Sequence, residues 1–142
     1  MPELFRSATR SLQEAGWTCE PPTSTENGVP SPLRAAPETV IRWVSSFSLL
    51  SSSDETVWFL SRDDYSTGAE GVFAWNECEL LSLQAATTDE AAVAVSRFWR
   101  RHTPILLSVR NAYDYLAVRD DGAVVHGTES EFVTAAVCSP CF

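Results

Sequence analysis

The last third of the chain limits its possible folds most. Between residues 105 and 126, three short apolar stretches follow one another: ILLSVR, YDYLAV and AVVH. Asn111-Ala112 and Asp120-Asp121-Gly122 separate them. Each stretch is rich in β-branched, aromatic or other apolar residues and too short to be a core-packing helix. Asn, Asp and Gly tolerate the backbone conformations of tight turns. Strands joined by such turns pair antiparallel, because a parallel crossover needs a dozen residues or more. The spacing therefore predicts an antiparallel meander over 105–126.

Helical spacing marks the other end. Leu4, Phe5, Ala8, Leu12 and Ala15 recur at i, i+3 and i+4 steps, Pro2 and Glu3 suit a helix start, and Gly16 suits its stop. An N-terminal helical segment is expected within residues 1–19. Residues 20–37 hold five of the eight prolines and read as a long loop. The remaining residues, 38–142, are expected to form an α+β domain, so that the chain folds as one domain in total. Within it, Val40, Ile41, Val44 and Phe47 predict a second helix with Pro37 at its entrance. TVWFL (56–60) and VFAW (72–75) predict strands, and ELLSL (79–83) a short third. Thr87 and Glu90 stand in capping-box spacing before a stripe of Ala91, Val95, Phe98 and Trp99. Arg97, Arg100 and Arg101 fall toward the end of that helix, where its dipole favours cations.

The chemistry-bearing residues have structural explanations beside functional ones. HGTESEF (126–132) gathers a histidine, two hydroxyls and two glutamates, but Thr128 and Glu131 repeat the capping-box spacing and FVTAAV can follow as a helix. His126 would then end a strand and Gly127 let the chain turn. CSPC (138–141) could be redox-active or ligate zinc. No long helix follows it to lower a thiol pKa, and Cys19, Cys78, His102 and His126 form no second paired motif. Asp63-Asp64 could hold magnesium but lacks a phosphate loop. G-x-S-x-G, P-loop, G-x-G-x-x-G and H-E-x-x-H motifs are absent from the sequence. The expectation is a chain with no catalytic residue, cofactor or metal; a small metal-binding protein or hydrolase using Cys138/Cys141 or Asp63/Asp64 is the alternative.

Charge separates the halves. The net charge is −9, and every base is an arginine. Residues 1–50 carry four arginines and five acids, whereas residues 51–142 carry six arginines and fourteen acids. Such acidity disfavours direct nucleic-acid binding and favours a basic partner. No apolar run reaches the roughly 18 residues of a membrane span, and the N-terminus lacks the apolar centre of a signal peptide. A cytoplasmic protein with reduced cysteines, favoured as a monomer, is expected. The acid pairs Asp63/Asp64, Glu77/Glu79, Asp120/Asp121 and Glu129/Glu131 are the candidate partner-binding residues.

HTPILLSVRNAYDYLAVRDDGAVVHGTESEF (102–132) resembles the C-terminal half of the SUKH superfamily, which includes bacterial immunity proteins and fungal cell-wall synthesis regulators. FLSRDDY and FAWNECELLSL resemble its middle strands, so the likeness covers roughly residues 56–137. It implies a mostly antiparallel sheet with flanking helices and a non-enzymatic binder. The implied partner is a cognate protein toxin, often a nuclease, neutralised by stoichiometric occlusion. A regulatory or scaffold domain, as in the fungal members, is the alternative within the same family.

Overall fold

A computed structural model describes residues 3–22, 28–65, 75–110 and 113–128, and the backbone of a last strand at 136–138. The fold is α+β. Helices α1 (Glu3–Glu14), α2 (Glu38–Val44), α3 (Glu77–Ala85) and α4 (Asp89–Arg101) accompany a seven-stranded sheet. Its strands are β1 (Thr18–Glu20), β2 (Leu49–Ser51), β3 (Val57–Phe59), β4 (His102–Ser108), β5 (Asp114–Arg119), β6 (Val124–Thr128) and β7 (Ala136–Cys138). They are hydrogen-bonded in chain order, every neighbour antiparallel. Two 3-10 turns, Ser31–Leu33 and Arg62–Tyr65, complete the regular structure.

The predicted meander is β4–β5–β6. Six residue pairs join β4 to β5, with a bulge between Pro104 and Leu106, and five join β5 to β6. The turn after β5 closes because Gly122 takes φ +93° while the Asp121 carboxylate accepts the Ala123 N–H at 3.1 Å. Asn111-Ala112 lies outside the described residues.

Tyr115 and Leu116 are adjacent in β5 and face opposite sides of the sheet. Trp99 of α4 packs 4.8 Å from Tyr115, centroid to centroid, so α4 covers one face. Leu116 lines a cavity with Leu4, Ala8 and Leu12, which places α1 on the other. The α1 face is organised by Trp43 of α2. Its indole meets Phe5 of α1 at 5.3 Å, Phe47 at 5.2 Å and Phe59 of β3 at 5.2 Å, each edge to face. Such pairs contribute roughly 0.5–1.5 kcal/mol each beyond the area they bury.

Several expectations need correction. The N-terminal helix stops at Glu14, with Gly16 at φ +97°, and residues 18–20 are an edge strand paired with β2. Three-residue strands such as β1 and β2 show no alternation long enough to detect. The proline-rich segment is anchored by the turn at Ser31–Leu33, whose Leu33 is fully buried. ELLSL belongs to α3 and not to a strand: Cys78 and Ser82, one turn apart, form its buried face. Of VFAW, residues 72–74 lie outside the described set, and Trp75 is in the turn before α3. The cap of α4 is Thr88, one residue later than expected, whose hydroxyl accepts the Ala91 N–H at 3.1 Å. Thr128 is the last residue of β6, and Gly127 pairs with Tyr115 inside the sheet, so neither begins a helix. Of the helix expected over FVTAAV, residues 132–135 lie outside the described residues, and Ala136 and Val137 belong instead to β7, paired with His126 and Val125.

Tyr115 is fully buried and its hydroxyl has no partner among the described residues. An unsatisfied buried hydroxyl costs about 1–3 kcal/mol. Tyr115→Phe should leave stability unchanged or raise it by about 1 kcal/mol, whereas Trp43→Ala should lower it by about 3–5 kcal/mol. Urea unfolding followed by circular dichroism reads both. A loss of more than 1 kcal/mol in Tyr115→Phe would mean that the hydroxyl is bonded.

Candidate functional site

Five parts of the chain meet around a cavity of about 220 Å³. The start of α3 contributes Trp75, Asn76 and Glu79, and the end of α4 contributes Trp99, Arg100 and Arg101. The start of β4 adds His102, Thr103 and Pro104. Asp120 closes one side from the β5–β6 turn, and Pro32 and Ala35 close another from the proline-rich segment.

The α4–β4 junction sets this geometry. No loop separates them: Arg101 ends the helix and His102 starts the strand. The Asp120 N–H donates to the Arg101 carbonyl at 2.8 Å, and the Arg101 guanidinium meets both carboxylate oxygens of Asp120 at 3.3 Å. His102 stacks on Phe98 at 3.9 Å and 9°, with Nδ1 2.7 Å from the Phe98 carbonyl. A carbonyl only accepts, so Nδ1 carries the proton and Nε2 is left as the acceptor. Burial pushes the His102 pKa down, against the opposing effect of that hydrogen bond, and keeps the ring neutral.

Glu79 stands apart from the other acids. It is half-buried and has no hydrogen-bond or ion-pair partner among the described residues; burial pushes its carboxyl above the usual range. Trp99 supplies a second unmatched group. It is 9% exposed, and its indole N–H has no acceptor among the described residues. Among the described residues, Glu79 at the cavity wall thus lacks a donor, and the buried Trp99 N–H lacks an acceptor.

The other predicted acids divide by what they bind. Asp64 shapes its own turn: its carboxylate accepts the Ser61 N–H at 2.7 Å and the Ser61 hydroxyl at 3.2 Å. Burial nonetheless pushes its carboxyl up, with the Asp63 charge adding to the rise. Asp63 is exposed beside it. Asp121 is held well below the usual range by the Arg119 guanidinium, 2.7 Å away, and by the Ala123 N–H. Glu77 lies in the first turn of α3, where an acid suits the helix dipole. Glu129 and Glu131 lie outside the described residues. The structure therefore brings Glu79 and Asp120 to one cavity. Asp63 does not line it; it lies in the 3-10 turn Arg62–Tyr65, whose Tyr65 ring is 5.7 Å from Trp75 and whose Tyr65 hydroxyl donates to the Pro104 carbonyl.

Asp54, not singled out in the sequence, organises the β2–β3 turn. It accepts from the Ser52 hydroxyl at 2.7 Å, the Thr56 hydroxyl at 2.8 Å and the Arg110 guanidinium at 3.2 Å, which together hold its carboxyl well below the usual range. Among the described residues no three His, Cys, Asp or Glu side chains gather as a metal site. Cys19 and Cys78 are free thiols, and burial pushes that of Cys19 up. Cys138 lies in β7, and Cys141 is outside the described residues. A second cavity, about 430 Å³, runs between α1 and the sheet; apolar side chains line it almost throughout, and it offers no titratable group. Among the described residues no helix is long and apolar enough to cross a membrane.

No protein-family model, curated protein or solved structure matches the chain.

Glu79 gives a pH signature. The folded chain holds its proton more tightly than the unfolded chain does. The stability tied to it therefore falls as pH rises from the ordinary glutamate range toward neutrality. Glu79→Gln should melt higher than the parent at pH 7, with the difference shrinking at pH 4.5. Thermal melts at the two pH values check this; a variant that melts lower at pH 7 would mean that the carboxylate has a favourable partner.

Proposed function

We propose that the protein is a stoichiometric inhibitor of a basic protein, in the manner of a bacterial immunity protein that occludes a cognate toxin. The observation that carries this reading is the α3–α4 cavity: Glu79, a carboxylate without a partner among the described residues, lines it together with Trp75, Trp99 and exposed Asp120. Aromatic anchors surrounded by charge are the usual makings of a protein-binding hot spot. The resemblance of residues 102–132 to the SUKH superfamily points the same way, and those residues include His102, Thr103, Pro104 and Asp120 of the cavity lining.

The proposed mechanism is electrostatic steering followed by occlusion. A net charge of −9 raises the encounter rate with a cationic surface and weakens as salt screens it. If that surface holds nucleic acid in a nuclease, carboxylates on the inhibitor take the place of phosphates. No cofactor is needed, and the inhibitor remains bound rather than turning over. A cytoplasmic location follows from this role, since a producing cell must protect itself where the toxin acts.

Immunity genes usually adjoin those of their toxins, so the C-terminal region of the neighbouring gene product is the first partner to express. Growth should stop with that product alone and resume with this protein, and the two should co-elute one to one on gel filtration. A toxic neighbour that is not rescued would remove the inhibitor reading. Within a confirmed complex, reversing Asp63 and Glu77 to lysine should slow association several-fold at low salt and flatten its salt dependence. Unchanged association rates across the salt series would place the interface elsewhere.

A further inference from the structure

We propose that the α3–α4 cavity receives an arginine side chain from a basic protein partner, its guanidinium paired with Glu79 and its flat face against the indoles of Trp75 and Trp99. The inference rests on the binding role above only for the owner of that arginine.

Three observations select this ligand. The first is Glu79, half-buried and without a partner among the described residues. A partly desolvated carboxylate is satisfied best by a charge-assisted donor, and a guanidinium supplies two parallel N–H groups. The second is the pair of tryptophans. A planar cation stacks on an indole and sheds water more readily than an ammonium does, which favours arginine over lysine. The third is size. At about 220 Å³ the cavity is smaller than the roughly 300–1,000 Å³ of sites that enclose drug-sized ligands, and it suits one inserted side chain.

The rest of the lining is compatible. Arg101 is occupied by Asp120, and His102 is neutral with Nε2 as an acceptor. Arg100 is exposed, where water and salt screen its charge.

The test uses the full ¹⁵N-labelled chain and two tripeptides, Ac-Gly-Arg-Gly-NH2 and Ac-Gly-Gln-Gly-NH2. Five tryptophans give five indole N–H signals, and Trp75→Phe and Trp99→Phe assign the two that matter. The arginine peptide should shift both signals with a dissociation constant on the order of millimolar, and the glutamine peptide should not. Glu79→Gln should keep its fold and its higher melting temperature yet bind about tenfold more weakly. Arg100→Ala should bind at least as tightly as the parent. No shift of the two signals, equal shifts with both peptides, or undiminished binding by Glu79→Gln would overturn the proposal. Weaker binding by Arg100→Ala would also do so, because it would mean that Arg100 and not Glu79 draws the peptide in. No toxin enters this experiment, so its result and that of the growth assay fail independently.

Discussion

The direct passage from α4 into β4 is the constraint on which the site depends. A helix that runs straight into a strand has no loop to absorb error. The helix ends within one residue, and the Phe98 carbonyl of its last turn is satisfied by His102 Nδ1. The strand register begins at once, His102 opposite Arg119, which sets the β5–β6 turn against the helix end. From that follow the Arg101–Asp120 contacts and the closed side of the cavity. Trp99 faces Tyr115 because the helix approaches the sheet at this one point. A longer connection would let the helix slide and leave the cavity without a fixed wall.

Carboxylates in this chain perform two separate jobs. Asp54, Asp64 and Asp121 each hold a turn together by accepting from backbone or hydroxyl groups within three residues. Arg110 and Arg119 reinforce two of them, across the sheet in one case and along the strand in the other. These exposed ion pairs contribute little to stability, because water screens them and long side chains lose freedom in forming them. Their larger effect is to neutralise charge that would otherwise face a partner. An acidic pair in the sequence is therefore a poor guide to where negative potential lies. Glu79 has no such arginine beside it, and that absence of a partner among the described residues makes it the site's charge.

The legible and illegible parts of the fold follow from local physics. The β4–β6 meander was readable because its second turn carries Asp121 and Gly122 at positions that demand them and its strands run five to seven residues. α1, α2 and α4 were readable from apolar spacing, and Trp99 and Val95 lie on the buried stripe as expected. α3 was not, because leucines at 80, 81 and 83 point in several directions and blur its periodicity. That one error hid the site. Once 77–85 is a helix, Glu79 of its first turn and Trp75 of the turn before it line one cavity. Read as strand residues, Glu77 and Glu79 make an equivalent pair; as helix residues they diverge, one into the first turn and one into the cavity. β1 and β2 were invisible for another reason: each is three residues long, and only the sheet beside them makes them strands.

The unmatched groups in this protein also differ in kind. Tyr115 is enclosed on every side, so its hydroxyl is a fixed cost of the core, and nothing from outside can reach it. Glu79, without a partner among the described residues, is half-buried at the wall of a cavity that opens toward solvent, where something from outside can. Chains fold with most local preferences agreeing, and violations concentrate where function needs them. A charged group held half-desolvated destabilises the free protein, and the same desolvation strengthens whatever opposite charge arrives. Replacing it with a neutral isostere would favour folding and weaken capture. That opposition between stability and binding separates a carboxylate kept for a partner from one kept for a turn: removing Asp64 or Asp121 loses structure, whereas neutralising Glu79 loses only the ability to attract a cation.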